Sequence, residues 1–488
     1  MTDKLNVLVL YDDHFTHIGT VGDHVESFKK YSRHNIFYLP GSLGYDDRPY
    51  PDTLTLDLFD VVILHYSVRL TISDYFQPVL AKSLERFSGL KILFLQDEYE
   101  ATERTRRALD RLQFDVVYTC VPQTSRESIY PSARFPKTEF IQTLTGFVPE
   151  YAGVEDCAVP LEQRQLMLAY RGRILNPVYG ELGREKTVIG TEMLRLSAER
   201  GWMVDIEVDD EKRIYGVDWY RFLGSARATL GTESGSNAFD FDGSLRTKIA
   251  QALAINPTAD WEDLYRPIVA PHDGVIKMNQ ISPKIFEAIR LKTALVLFEG
   301  DYSGVVQPDR HYIPLKKDFS NSAEVFSKIE NLDFIRELTT RAYNEIIQPG
   351  LYSYRHFVAG VDETIARKYK KPARFELFSM PLIVRDRKIM DQAEAWKLIA
   401  PFDSLGFALT TGVLSTQNIS RYGVEKFMDA WIDKKYEARR KLEALSLEAL
   451  TRATVKSALM ELLTAISTLS DAVLLSAKYR IKHLLTRG

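Results

Sequence analysis

Residues 277–304 read KMNQISPKIFEAIRLKTALVLFEGDYSG. Pro283 suits the first turn of a helix and Ser282 can cap it. The apolar run that follows, residues 294–298, has the length of a buried strand and ends in a Gly-containing turn. A helix that feeds a fully apolar strand is one unit of a doubly wound parallel sheet. Glu287 stands in that helix among Ile285, Phe286, Ala288 and Ile289, where a buried helix favours apolar groups. A helix N-terminus attracts phosphate, Lys284 adds a cation there, and a carboxylate one turn in can accept two hydroxyl hydrogen bonds from a ribose.

Working outward, the same alternation fills the second part of the chain. Short apolar runs at 166–172, 203–208, 226–232, 294–300 and 311–315 alternate with helical patterns at 184–200, 281–292 and 322–346. An earlier series has runs at 4–11, 59–66, 90–97, 114–121 and 139–144. Between the two lies TGFVPEYAGVEDCAVPLEQRQ, residues 145–165, with prolines, glycines and no apolar period, which reads as a linker. The expectation is an α/β chain with Rossmann-like domains over 1–150 and 151–370 and a helical extension over 371–488. Two such halves leave a cleft between two sets of strand ends.

Composition sets bounds on function. With 488 residues, 45% apolar and 26% charged, the chain exceeds one core and suits two. A net charge of -3 gives no global attraction to nucleic acid, so a polyanion site is local. Cys120 and Cys157 are the two cysteines, which disfavours a disulfide framework or a Cys-based zinc site and fits a reducing, cytoplasmic setting. The start, MTDKLNVLVLYDD, has no signal-peptide pattern, and no apolar run reaches the ~18 residues of a spanning helix.

In the first half, polar residues fall where strands end: Asp12, Asp13, His65 and Asp97. The turn THIGTVGDHVESFKKYS carries Gly19 and Gly22 ahead of a helix, where backbone N–H groups can approach a ligand. YDDH also fits the acidic pocket of a response-regulator receiver, but a receiver of ~120 residues leaves most of the chain unexplained. His17, His24, His65 and Asp97 are the groups expected to face an acceptor from this side.

These residues carry a resemblance. The segment NQISPKIFEAIRLKTALVLFEGDYSG is similar to the donor-site helix of GT-B glycosyltransferases, in particular the retaining group 1 family of bacterial surface polysaccharide synthesis. That family carries E-x7-E before a strand, its second Glu on the ribose of a nucleotide sugar. Here the second position is Glu287 and the first, which contacts the donor sugar, is Asn279. YRGRILNPVYGELGREK, after the first strand of the second half, places Arg173 and Lys186, with Arg171 beside them, where the family neutralises the donor diphosphate. LGTESGSNAFDFDGSLRTK follows another strand end, and Glu233 is a candidate to meet sugar or base. Its DFD at 240–242 has the spacing of the metal-binding D-x-D of the other large glycosyltransferase fold, which is a single domain and does not fit two halves.

The resemblance implies transfer of a sugar from a nucleotide-sugar donor to a glycan or lipid-linked acceptor, with retention and without a metal or other cofactor. Fixed cations and helix N–H groups would take up the charge of the leaving diphosphate. His65, Asp97 and Asn279 are the catalytic candidates. Two rivals reuse the fold: a non-catalytic scaffold or sugar-binding subunit, which Asn279 keeps open, and a nucleotide-sugar epimerase. The last hundred residues change character. Residues 457–488 set Leu459, Leu462, Leu463, Ile466, Leu469, Val473 and Leu474 on helical spacing and, beyond Asp471, hold Lys478, Arg480, Lys482 and Arg487 with no acid. Such a helix suits an anionic membrane surface, packing on the catalytic halves or pairing with a second copy of the chain.

Overall fold

The computed structural model describes residues 4–371 apart from 17, 43–55, 58, 74 and 150–152. The expected helical extension therefore lies outside the described residues, as does His17. The first half is a six-stranded parallel sheet of β1 (Asn6–Tyr11), β2 (Asn35–Pro40), β3 (Val61–Leu64), β4 (Leu90–Phe94), β5 (Val116–Thr119) and β6 (Glu139–Gln142). Their order is β2-β1-β3-β4-β5-β6, with Val7 between Ile36 and Val61. Every residue of β1, β3, β4 and β5 is buried, because helices cover both faces, whereas β6 at the edge is only partly so. The covering helices are α1 (Gly19–Tyr31), α2 (Pro78–Arg86), α3 (Thr102–Leu112) and α4 (Gln123–Ile129).

The second half contains β7 (Leu166–Arg171), α5 (Gly180–Glu199), β8 (Val204–Glu207), α6 (Val217–Gly224), β9 (Ala226–Gly231), α7 (Ser244–Ile255), α8 (Trp261–Leu264), α9 (Pro283–Arg290), β10 (Ala294–Phe298), β11 (Ile313–Leu315), α10 (Ser322–Glu330) and α11 (Leu332–Ala342). Its sheet is also parallel, ordered β11-β10-β9-β7-β8. Counted from its own first strand, this is the order of the first five strands of the other sheet. Each sheet reverses direction beside its first strand, at β1/β3 and at β7/β9, and these are the crevices where doubly wound sheets hold ligands. The two-domain architecture expected from the sequence is the one observed.

Each expected apolar run contains a strand. The strand β2 was not expected, its NIFYLP being short and closed by a proline. The helical pattern at 322–346 divides at Asn331, whose side chain accepts a hydrogen bond from Phe334 N at 3.0 Å and starts a new helix. Residues 232–280, between β9 and α9, form an unforeseen insertion that joins the halves. Asp240 N donates to Tyr99 O at 2.9 Å and Glu103 N to Phe241 O at 2.8 Å. Gln280 Nε2 donates to Cys120 O at 2.5 Å and Ser125 Oγ to Lys277 O at 2.9 Å. Phe239 and Met278 are buried within the first half's core.

The chain then returns: α12 (Tyr354–Lys368) packs on α1, burying Tyr354, Phe357, Val358, Val361 and Ile365 in that same core. Among the described residues no helix is long and apolar enough to cross a membrane.

Inside the first core, His65 Nε2 lies 2.9 Å from His24 Nδ1, and the His24 ring packs against Phe28, Phe94, Phe147, Tyr354 and Phe357. Burial pushes His24 down to about 3 and holds His65 well below its ordinary value, so both rings are neutral in the folded state. An unfolded imidazole takes up a proton below about pH 6.5, whereas the folded His24 does not until about pH 3. Stability supported by the neutral pair is full above pH 6.5 and declines as pH falls through that window, by at most ~1.4 kcal/mol per pH unit for each ring. Urea unfolding at pH 7.5 and 5.5 is expected to show a smaller loss in His24→Gln than in the parent chain.

Candidate active site

A cavity of about 820 Å³ opens at the β7/β9 crevice of the second sheet, a volume suited to a ligand of cofactor size. Its walls come from the ends of β7 and β9, the loop 213–217 after β8, the start of α9 and, from the first half, Ile18, Gly19 and Thr20 at the start of α1. Pro283 opens α9 with Ser282 at the cap position in extended geometry. Contrary to expectation, the Ser282 hydroxyl makes no capping bond. Ser282, Pro283 and Lys284 all line the cavity, so the cap position of this helix faces the ligand space.

One turn in, Glu287 also lines the cavity, and its Oε2 accepts a hydrogen bond from Trp219 Nε1 at 2.6 Å. Burial raises the Glu287 carboxyl above its ordinary range, against the opposing pull of the Trp219 hydrogen bond and the Lys284 charge. Lys284 Nζ donates to Arg171 O at 2.9 Å and lies 5.1 Å from the centre of the Trp219 ring. Enclosure lowers its pKa, with Glu287 pulling the other way. Lys186, on the second turn of α5, donates from Nζ to Glu233 O at 2.9 Å, and burial followed by the nearby Lys284 charge pushes it down to about 8.

Arg173 lines the cavity with a half-exposed side chain, its Nε 3.6 Å from Asp210. Arg171 has a different employment from the one expected. Its guanidinium pairs with Asp205 on β8 at 2.8 Å, donates to Lys212 O and stacks on Phe222 at 4.3 Å. These contacts tie β7 to its neighbour and commit the charge to structure, while Lys186, Lys284, Arg173 and Arg213 are further cations that line the cavity.

Glu233 and Asn279 also meet each other rather than open space. Asn279 Nδ2 donates to Glu233 Oε2 at 2.5 Å, and its Oδ1 accepts from Asn237 Nδ2 at 3.0 Å. The other Glu233 oxygen accepts from Asp301 N at 3.1 Å and Tyr302 N at 2.9 Å. A Cβ at Gly300 would stand 2.6 Å from this carboxylate, which is why the turn carries glycine there. The pair thus anchors the turn after β10. The N-terminus of α5, the usual phosphate seat of a doubly wound domain, is occupied by Asp273, whose Oδ2 accepts from Glu181 N at 2.8 Å. In DFD, Asp240 accepts from Leu245 N and Arg246 N and Asp242 from Ser244 N, so both carboxylates serve the start of α7. Among the described residues no group of three His, Cys, Asp or Glu could hold a metal ion.

On the first half, Gly19 lines the cavity with open space where a Cβ would be, while at Gly22 a Cβ would stand 2.7 Å from Thr16 O. Gly22 is thus a packing requirement of the turn. His24 and His65 do not face the cleft as expected: they are buried in an aromatic cage. Asp97, after β4, reaches solvent, yet its carboxyl is raised by the surrounding protein, and Arg173 of the second half is near enough to lower it. The sequence reading missed Arg213, Tyr215, Val217 and Trp219, whose stretch RIYGVDWY lines the cavity. Its signal was the density of aromatic residues directly after a strand.

No family model and no curated protein matches the chain. Solved structures similar to it include an alpha-glucosyltransferase in complex with UDP and a 13-mer DNA, at 9% identity over 75% of this chain and 100% of that one, TM-score 0.42. Others are a sucrose-phosphate synthase from Thermosynechococcus elongatus (9%, 75% and 99%, TM-score 0.41) and T4 phage BGT with its UDP-glucose substrate (11%, 76% and 100%, TM-score 0.40).

Glu287 gives a prediction separate from turnover. A carboxyl whose folded pKa is raised weakens the fold above its unfolded value near 4.5, and the effect vanishes below it. Glu287→Gln keeps an acceptor for Trp219 and removes the charge. Its melting temperature is expected to exceed that of the parent by about 2 °C at pH 8, with the gain fading toward pH 4.5 in a scanning fluorimetry series.

Proposed function

We propose that the chain is a glycosyltransferase that moves a sugar from a nucleotide-sugar donor to a glycan or lipid-linked acceptor. The observation that carries this reading is the convergence, on one cavity at the β7/β9 crevice, of Glu287, Lys186, Lys284, Arg173 and the start of α9. In this reading the ribose hydroxyls donate to Glu287, whose orientation Trp219 fixes. The diphosphate lies between the start of α9 and that of α1, and the exposed Tyr215 and Val217 flank the base. As the bond to the sugar breaks, negative charge grows on the leaving diphosphate and the cations that line the cavity stabilise it. Metal independence is part of the proposal and rests on these cations. Retention, which the resemblance implies, would need no base on the acceptor side.

The proposal extends to a cytoplasmic setting, with residues 457–488 as a contact to a membrane surface or to a second copy of the chain. An epimerase or a non-catalytic sugar-binding subunit would share the donor contacts, and product analysis separates them: a glycoside, an epimer or no product.

The donor site is tested with UDP, GDP, ADP and TDP, and their glucose esters, by thermal shift and calorimetry with and without EDTA. One base is expected to raise the melting temperature in EDTA as well as with divalent cation. Lys186→Met is expected to weaken that diphosphate by about 10- to 100-fold at pH 7, the size of a lost charge-assisted contact. Because free Lys186 has a pKa of about 8, parent-chain affinity is expected to fall as pH rises through 8, and Lys186→Arg to remove that dependence. A folded chain that binds none of the four diphosphates would sink the proposal.

A further inference from the structure

Trp219 on α6 meets both charged side chains that α9 turns to the cavity. Its Nε1–H donates to Glu287 Oε2 at 2.6 Å, and its ring centre lies 5.1 Å from Lys284 Nζ. Lys284 and Glu287 stand at i and i+3 and so share one face of α9, which packs on α6. The indole is held from its own helix by Phe222, 5.7 Å away, whose ring in turn carries the Arg171 guanidinium at 4.3 Å. A bond of 2.6 Å from an N–H to a carboxylate oxygen is short even for a charge-assisted contact, and it commits that oxygen to the protein. Among the described residues nothing donates a hydrogen bond to the other oxygen, Oε1. Trp219 and Glu287 both line the cavity, and among the described residues that do so Glu287 has the only carboxylate.

Within the glycosyltransferase reading, on which this inference rests, we propose that Trp219 sets the class of nucleotide: by occupying Oε2 it leaves Glu287 one free oxygen, so the site holds one ribose hydroxyl firmly and takes 2′-deoxyribonucleoside diphosphates beside ribonucleoside diphosphates. A carboxylate with both oxygens free meets a cis-diol with two parallel bonds, one to each oxygen. Such a site rejects a deoxyribose, because the lost hydroxyl leaves a desolvated acceptor unmet. Here the 2′- and 3′-hydroxyls compete for Oε1, and the second bond adds little to the first. When the 2′-hydroxyl is absent the 3′-hydroxyl fills the same position, and no acceptor is left bare. The indole could release Oε2 only by giving up its contacts with Phe222 and Lys284.

Trp219 is therefore a positioning residue that acts through Glu287, and its removal has an unusual signature. Taking away its N–H restores the second oxygen to the ligand, so selectivity for ribose rises. Loss of packing would weaken both kinds of nucleotide alike and leave their ratio where it was.

The test is calorimetry on the full chain, with and without magnesium, using UDP, GDP and ADP each beside its 2′-deoxy form, and TDP beside ribothymidine diphosphate. The pair that binds is then measured on Trp219→Phe, which keeps an aromatic ring without the N–H, and on Glu287→Gln. In the parent the two members of the pair are expected to bind within about threefold of each other. In Trp219→Phe the ribonucleotide is expected to gain on its deoxy form by about 10-fold or more, the size of one charge-assisted hydroxyl contact. Glu287→Gln is expected to weaken both members by a similar factor, about 10-fold.

A larger ribose preference in the parent overturns the proposal while the donor site stands, and this comparison decides the matter alone where Trp219→Phe does not fold. An unchanged ratio in a folded Trp219→Phe, or unchanged affinities in Glu287→Gln, overturns it too. Failure of every diphosphate to bind the parent overturns the donor reading itself, and this proposal with it.

Discussion

The two halves are held together by the insertion, where the backbone of Tyr99 and Glu103 pairs with Asp240 and Phe241, Gln280 reaches Cys120 O, and Phe239 and Met278 enter the first half's core. Apolar burial of this kind is worth about 1.5–3 kcal/mol per large side chain, and the backbone hydrogen bonds give it register. Two doubly wound halves joined only by a linker would be free to swing. Here the insertion between β9 and α9 fixes one against the other. The placement of Ile18, Gly19 and Thr20 against the cavity at the start of α9 then becomes a property of the fold.

The cavity at the β7/β9 crevice gathers charges at some cost to stability. Lys186 and Lys284 are desolvated and repel one another, and Glu287 is desolvated beside them. Each is less stable in its charged form than it would be in water, and each is stabilised by a fixed partner: the Glu233 carbonyl, the Arg171 carbonyl and the Trp219 indole. A diphosphate and a ribose would supply the counter-charge and hydrogen bonds that these groups lack. This preorganisation trades folding free energy for affinity.

The architecture was legible because buried parallel strands leave a strong trace: runs such as VLVLY and ALVLF admit few other readings. Glu287 was legible for the same reason, as a carboxylate that apolar periodicity does not explain. The insertion was not legible, since Phe239, Phe241 and Met278 are single apolar residues in a polar stretch and their partners lie more than a hundred residues away. His24 and His65 stood out as polar residues, but the rings that enclose them, Phe147, Tyr354 and Phe357, come from distant segments, so burial could not be read locally. Asn279 was legible as a departure from a motif. Its partnership with Glu233 depends on how two loops meet.

The return of α12 to the first half has a consequence in time. Tyr354, Phe357, Val358, Val361 and Ile365 complete a core whose strands all lie before residue 143. During synthesis that core waits for about 220 further residues, which at ~5–20 residues per second is roughly 10–45 s. For that interval the face of α1 with Phe28 lacks its cover, and the His24 cage lacks two of its rings. The nascent chain therefore passes through a stage in which its first half carries an apolar groove shaped for its own distant helix, a surface that a holding chaperone would recognise.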